Sequence, residues 1–486
     1  MVLQEVAPPQ LTRRRRIGVL LICSMSLLIV GLDLTIVNVA LPSIGHEFGA
    51  SVSGLQWTVD AYTLVLASLL MLSGSTADRL GRKRTFVVGL TVFSAGSLLC
   101  SVAPNLTTLV IFRMVQAIGG SMLNPVAMSI ITNTFTNPKE RAQAVGVWAA
   151  VVGMSMALGP VIGGLLVGSV GWRSIFWINL PVGLAAIVLT LRFIPESKAP
   201  KARRVDGIGQ GLVVVLLASL TYGIIEAPDR GWGSPLILAT FTLAVAALVG
   251  LILWERRRDE PLINLRFFRS VPFSGAAIIA VAAFATLGGF LFLNTLYLQD
   301  VRGFSALKAG LCTLPLALMT LLLPPISGRI VGTRGPRIPL LIAGAALTVS
   351  CFMLSQVSAT TSFVWLFAAY VVFGIGFGFV NAPITAAAVS GMPRAQAGVA
   401  SAIASTSRQI GATLGVAVVG ALVATGLSGS TGLHVALLSH AGWYVLAGCG
   451  IAVLVMGQVV TTSWADRTAE RTALELNPEY LERQGL

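Results

Sequence analysis

Three ionisable residues stand out inside long apolar runs: Asp33, Asp60 and Arg113. A charged side chain in the middle of a bilayer costs about 2.5–3.5 kcal/mol on insertion scales, so such residues usually have a function or a partner. Asp33 lies 8 residues before the end of its run at Leu41. Asp60 and Arg113 lie 8 and 7 residues after the starts of theirs, at Val52 and Leu106. At 1.5 Å per residue all three sit roughly 10–12 Å below the same surface, and they can share one layer. Arginine keeps its proton, whereas an acid buried beside another acid is driven toward its neutral form. One of the two acids is then expected to take up a proton near neutral pH, which is the chemistry proton coupling needs. Asp33 is expected to be the main proton carrier and Asp60 a secondary or substrate-facing acid. Arg113 would hold the deprotonated state. The plainer alternative is a static ion pair that fixes packing.

The elements that must position these residues are membrane helices. Of 486 residues, 11% are charged and 55% are hydrophobic, with a mean hydropathy of +0.85. Soluble proteins carry about 25% charged residues, so a soluble multi-domain enzyme is excluded, as is a disordered chain. The apolar runs are continuous and about as long as one bilayer crossing requires. Barrel strands would alternate every second residue over about half that length. The fold expected is therefore an all-α polytopic bundle.

Fourteen spans can be counted, from Ile17–Leu41 to Ala441–Ser463. The first is too long and too polar at Asp33 for a cleaved signal peptide. With the N-terminus in the cytoplasm, 27 of the 33 Lys and Arg residues fall in cytoplasmic segments and 4 in outer loops. That asymmetry is the signature of topology, so the net charge of +14 predicts no nucleic-acid partner. Both termini are expected in the cytoplasm. The five cysteines all fall in apolar runs and read as small core residues.

The loop after the second span runs from Gly74 through Asp78, Arg79, Gly81, Arg82 and Lys83 to Arg84. The loop after the tenth runs from Gly328 through Arg334 and Gly335 to Arg337, with glycines matching at the first and eighth positions. Asn124-Pro125 in the fourth span is echoed by Asn381-Ala382-Pro383 in the twelfth. The chain therefore divides into a cytoplasmic tail (1–16), a six-helix half (17–193) and a linker with two inserted helices (194–270). A second six-helix half (271–463) and a cytoplasmic tail (464–486) follow. Such repeats commonly enclose a transporter's substrate site.

The Gly74–Arg84 loop resembles the loop signature of the major facilitator superfamily. The stretch from Leu32 to Pro42 resembles the first-helix motif of its fourteen-span drug:proton antiporter branch. Arg113-Met114-Val115-Gln116 with Gly119-Gly120 is similar to the fourth-helix motif, although Ala117 stands where the family usually has Gly. Gly159-Pro160 with Gly163-Gly164 resembles the antiporter motif, and Gly171 to Pro181 is a further branch-like stretch. The resemblance implies the major facilitator fold and export of amphipathic, cationic drugs or toxic compounds in exchange for protons. It implies a bacterial inner-membrane location. Lipids, the substrate and protons are the expected partners, and the chain is expected to act as a monomer. No phosphate loop, metal-ligand spacing or nucleophile motif occurs, so the expected energy source is the proton gradient, without a cofactor or a metal. The alternatives are an exporter of one endogenous metabolite, antibiotic or lipid, and, more remotely, a sensor or channel.

Gating is expected from two places. In the basic loop, Asp78 can face a helix N-terminus or an arginine, and Arg82 can reach Glu140, latching the cytoplasmic side. In the fifth span, Pro160 removes a backbone donor among glycines that allow close packing. Candidate cavity residues are Asn38, Gln116, Asn294, Tyr297 and Asn381, with Arg408 as a contact for an anionic group, a backbone carbonyl or the cytoplasmic surface. Glu226 and Asp300 read as solvated helix ends.

Overall fold

The computed structural model describes residues 12–198, 206–258, 261–392, 396–428 and 440–476. The tail residues 1–11 and 477–486 thus lie outside the described residues. The helices are α1 Arg13–Phe48, α2 Val52–Leu80, α3 Arg82–Ser101, α4 Leu106–Thr134 and α5 Pro138–Ser169. Then come α6 Ser174–Phe193, α7 Gly207–Arg230, α8 Pro235–Glu255, α9 Val271–Val301 and α10 Ala306–Arg334. The last are α11 Arg337–Leu354, α12 Phe363–Val389, α13 Ala397–Ser428, α14 Ala441–Val459 and α15 Ser463–Leu476. Among the described residues thirteen helices are long and apolar enough to cross a membrane, and α5 adds the apolar stretch Met154–Ser169. The fourteen expected spans therefore correspond to α1–α14, and the protein is a multi-pass membrane protein.

Local chemistry starts and stops these helices. Ser51, Asp206, Ser234 and Ser362 each accept a backbone N–H in the first turn of α2, α7, α8 and α12. Asn105 and Thr108 form a reciprocal capping box at α4. Gly81 alone separates α2 from α3, at φ +116°, a conformation only glycine adopts without strain.

The bundle has two ends. The terminal end carries the start of α1, the α2–α3 turn and the end of α14; the far end carries the α1–α2 and α9–α10 turns. Helix α1 packs on α4, α5 and α6, α2 on α4, and α3 on α4 and α6. The same neighbour pattern recurs eight helices later: α9 on α12, α13 and α14, α10 on α12, and α11 on α12 and α14. The two sets meet along α2–α13 and α5–α10.

Helix α7 packs on α8 and straddles the α2–α13 seam. It is tied to α2 by polar bonds at both ends. Ser53 Oγ donates to Asp229 Oδ2 at 2.7 Å, Trp57 Nε1 to Glu226 Oε1 at 2.9 Å, and Gln210 Nε2 to the Ser68 carbonyl. Glu226 is thus an anchor rather than a solvated helix end, because the neighbouring Trp57 offers an N–H that a half-buried carboxylate can use.

The expected polar tail after Ser463 is in part a helix. In α15, Ala465, Ala469 and Thr472 are buried. Thr468 Oγ1 accepts the Val271 N–H at 2.9 Å, and Glu475 pairs with Arg269 at 2.7 Å. Small residues repeating every three or four positions give this otherwise charged segment one face that can lie against α9.

Candidate functional site: a buried polar knot around Asp33

Asp33 and Arg113 meet in the interior, with side chains 0% and 1% exposed. Arg113 Nη1 donates to Asp33 Oδ2 at 2.5 Å and to Gln116 Oε1 at 2.7 Å. Gln116 Nε2 returns a bond to Asp33 Oδ1 at 2.8 Å, and Asn179 Nδ2 reaches the same oxygen at 3.3 Å. Asn179 also donates to Ser97 Oγ at 3.0 Å. Arg113 Nε donates to the Thr58 carbonyl at 3.3 Å, and the guanidinium lies 4.2 Å from the Tyr62 ring centroid. A buried charge is tolerated when it is paired and hydrogen-bonded, and here the two charges pair and both Asp33 oxygens accept hydrogen bonds.

Five helices hold the knot. Arg113 and Gln116 are three residues apart on α4 and share a face. Gly96 lets α3 lie against the Gln116 backbone, where a Cβ would overlap it, and this brings the adjacent Ser97 into reach. Helix α1 supplies Asp33, α6 Asn179, and α2 Thr58 and Tyr62. Gln116 is therefore a partner of Asp33 rather than a cavity residue. Asn179, Ser97 and Tyr62 were missed in the sequence. For Asn179 the only signal was an amide beside apolar residues in the Gly171–Pro181 stretch.

Asp60 does not contact Asp33 or Arg113. It is fully buried, and among the described residues its Oδ2 has no hydrogen-bond partner and its Oδ1 receives only Thr63 Oγ1 at 3.5 Å. Thr63 Oγ1 accepts in turn from Thr413 Oγ1 of α13 at 2.8 Å. Equal depth did not bring Asp60 to Arg113, because the Arg113 donors are directed at Asp33, Gln116 and the α2 backbone.

Helix α5 is wedged between α1 and α10. A Cβ at Gly159 would overlap Thr35, and one at Gly163 would meet Ile36, both in α1. A Cβ at Gly164 would overlap the Ala306 carbonyl, and one at Gly310 the Pro160 carbonyl. Close backbone approach of this kind requires small residues. The helix that carries Asp33 is thus joined through one glycine-rich turn of α5 to the far end of α10. Other bonds between the two helix sets also lie toward the far end. Gln56 Nε2 donates to the Val416 and Ala417 carbonyls at 3.1 and 2.8 Å, and Gln299 Nε2 to the Val39 carbonyl at 2.8 Å.

At the α2–α3 turn the expected Arg82–Glu140 contact is replaced by two others. Arg82 Nη2 pairs with Asp78 at 3.0 Å, and Glu140 pairs with Arg16. Asp78 is one turn before Arg82 and is the nearer acid. Arg16 sits at the start of α1, which packs against the helix carrying Glu140. Glu196 accepts the backbone N–H groups of Lys83 and Arg84 at 3.0 and 3.2 Å, and Lys83 Nζ bonds the Leu191 carbonyl. Gly74 approaches Pro125 of α4, and Arg79 is exposed.

The remaining candidates scatter. Asn38 donates to the Leu34 carbonyl at 3.0 Å and leaves Oδ1 buried without a partner. Asn294 Oδ1 accepts from Tyr370 Oη at 2.5 Å, and Tyr297 Oη donates to the Ser358 carbonyl at 2.7 Å, so both are structural bonds. Asn381 is half-buried. Arg408 bonds hydroxyls, with Nη2 to Thr385 Oγ1 at 2.7 Å and Nη1 to Ser405 Oγ at 3.3 Å. Tyr370 follows Arg113 by the same 257 residues by which Asn381 follows Asn124. The second set thus has a neutral tyrosine–asparagine pair in the α9–α12 packing, where the first has an ion pair between α1 and α4.

Comparison with known proteins agrees with this architecture. The family model of the Major Facilitator Superfamily matches residues 23–416. The Multidrug resistance protein Stp of Mycobacterium tuberculosis is 35% identical over 424 residues, covering 87% of this chain and 78% of that one. The Tetracenomycin C resistance and export protein of Streptomyces glaucescens is 37% identical over 408 residues, covering 84% and 76%. The Methylenomycin A resistance protein of Bacillus subtilis is 34% identical over 444 residues, covering 91% of each. Among solved structures, a bacterial homolog of the human lysosomal transporter Spinster, inward-facing and unoccupied, superposes with a TM-score of 0.62 at 19% identity. It covers 96% of this chain and 98% of that one, a likeness of fold alone. With a repeated six-helix packing pattern, a family model matched from the first helix into α13, and relatives above one-third identity, the chain belongs to the Major Facilitator Superfamily, a family of transporters rather than enzymes.

Proposed function

We propose that this transporter exports amphipathic compounds from the cytoplasm in exchange for protons. The observation that carries the reading is the Asp33–Arg113–Gln116–Asn179 knot. It holds the Asp33 carboxylate, fully buried, against a cation and two amides. Protonation of Asp33 would cancel the ion pair and free Arg113 to repack, which ties proton occupancy to the fit of α1 against α4. The named resistance and export functions of the relatives support the direction of transport.

In this reading the terminal end faces the cytoplasm, where 27 of the 33 Lys and Arg residues lie, and the membrane is the bacterial inner membrane. Alternating access follows from the two seams. The wedge of α5 between α1 and α10 holds the far end shut, and a change in α1 at Asp33 reaches that wedge through Thr35 and Ile36. The Asp78–Arg82 pair and the Glu196 contacts brace the α2–α3 turn at the opposite end.

The test is accumulation of ethidium by cells producing the protein, with and without a protonophore. The reading expects several-fold lower accumulation in producing cells and loss of that difference on adding protonophore. Equal accumulation with and without the protein, across a panel of amphipathic probes, would oppose it.

A further inference from the structure

Arg408 is the one basic residue set deep in the membrane stretches of α9–α14. Those helices contain a single acidic residue, Asp300, in the far-end turn of α9. Arg408 lies 11 residues into α13 from the terminal end, roughly 16 Å along the helix, so Asp300 is at the opposite side of the bilayer. Among the described residues its two hydrogen bonds go to neutral hydroxyls, Thr385 of α12 and Ser405 of its own helix, and its buried Nε has no partner. Arg113, by contrast, has Asp33. One guanidinium in the membrane is thus neutralised inside the protein, and the other is held in place by hydroxyls with its charge unanswered.

A guanidinium fixed by hydroxyls keeps its orientation and can offer charge-assisted hydrogen bonds to an incoming anion. Its position between α12 and α13 places it one turn from Asn381, which lies on the face of α12 that carries Thr385. Those are the helices of the second set that answer to α4 and α5, the helices flanking the Asp33 knot.

We propose that Arg408, with Thr385 and Ser405, is an anion subsite that takes the ionised carboxylate or phenolate of an amphipathic organic acid. This rests on the transport reading above and adds acidic amphipaths to its substrate class. Acidic amphipaths enter against Arg408, while the Asp33–Arg113 pair remains internally neutral.

The experiment uses the full-length protein in phosphatidylcholine nanodiscs and two probes that share one ring system: 1-pyrenebutyrate and a 1-pyrenebutyl trimethylammonium salt. Binding of each is measured for the wild type, Arg408→Gln and Arg408→Lys. The subsite predicts at least a tenfold weaker affinity for pyrenebutyrate in Arg408→Gln, recovery to within about threefold in Arg408→Lys, and no loss for the cationic probe. Equal pyrenebutyrate affinity in wild type and Arg408→Gln overturns it. Repeating the titration in phosphatidylglycerol nanodiscs separates the other source of negative charge. If Arg408 answers lipid phosphate instead, Arg408→Gln loses a lipid dependence and leaves pyrenebutyrate binding unchanged, which also overturns the proposal. The transport reading is checked separately by ethidium accumulation in cells producing the wild type. Ethidium efflux by the wild type alongside lost pyrenebutyrate binding in Arg408→Gln supports the subsite. If the wild type exports no ethidium, the transport reading fails instead.

Discussion

Arg113 in α4 and Asp33 in α1 lie 80 residues apart in sequence and 2.5 Å apart in space, both sealed from solvent. Breaking one side of a buried pair typically costs about 3–5 kcal/mol, because the other charge is left unanswered. Removing both charges together costs much less. Asp33→Asn and Arg113→Gln are each expected to lower the melting temperature by several degrees. The double variant is expected to recover most of that loss without recovering transport. A melting series with the double-mutant cycle measures the coupling directly. Additive losses would show that the two residues act independently.

Asp60 is expected to behave in the opposite way. Its carboxyl group is buried with one oxygen unpartnered and pairs with no cation among the described residues, so an amide in its place orphans no charge. Asp60→Asn should leave the melting temperature unchanged or raise it, while lowering proton-driven efflux at least tenfold. A fall in stability like that of Asp33→Asn would show that Asp60 has a cationic partner in the working protein.

The α5–α10 contact gives a steric prediction. A Cβ at Gly310 would overlap the Pro160 carbonyl, a backbone atom that cannot rotate away. Gly310→Ala should push the far end open, raising maleimide labelling of a cysteine placed at Ala309, which is buried, several-fold. Gly168→Ala is the control, since a Cβ there meets nothing within 4 Å. Equal labelling in both variants would remove the wedge from the gating scheme.

The partners of Arg82 can be separated by coupling energies. Asp78 and Arg82 should couple in a double-mutant cycle, and Glu140 should couple to Arg16 rather than to Arg82. Both pairs are partly exposed, with side chains 14% and 37% exposed in one and 25% and 44% in the other. Each is therefore expected to contribute less than about 1 kcal/mol. Chemical denaturation of the purified variants provides the readout, and a larger Arg82–Glu140 term would restore the latch drawn from the sequence.

Much of the fold was legible because membrane helices announce themselves through continuous apolarity and through the placement of Lys and Arg. Asp33 and Arg113 were legible for the related reason that charge in an apolar run is rarely idle. Depth counted along a helix could not reveal azimuth, and this is why Asp60 was grouped with them although it faces Thr63 and the α13 seam. Asn179, Ser97 and Tyr62 carry no charge and leave no such mark; only the packing of α3, α6 and α2 around α1 shows their role. The same limit hid the Glu226–Trp57 tie and the packed face of α15, both of which depend on which neighbour arrives.

The measurement that bears most directly on the central claim is proton movement in proteoliposomes loaded with a pH-sensitive dye and given a pulse of ethidium. For the wild type a pH change inside the vesicles should accompany substrate movement, and Asp33→Asn should show none while still binding ethidium. A pH change of equal size and rate in Asp33→Asn would contradict the assignment of Asp33 as the proton carrier.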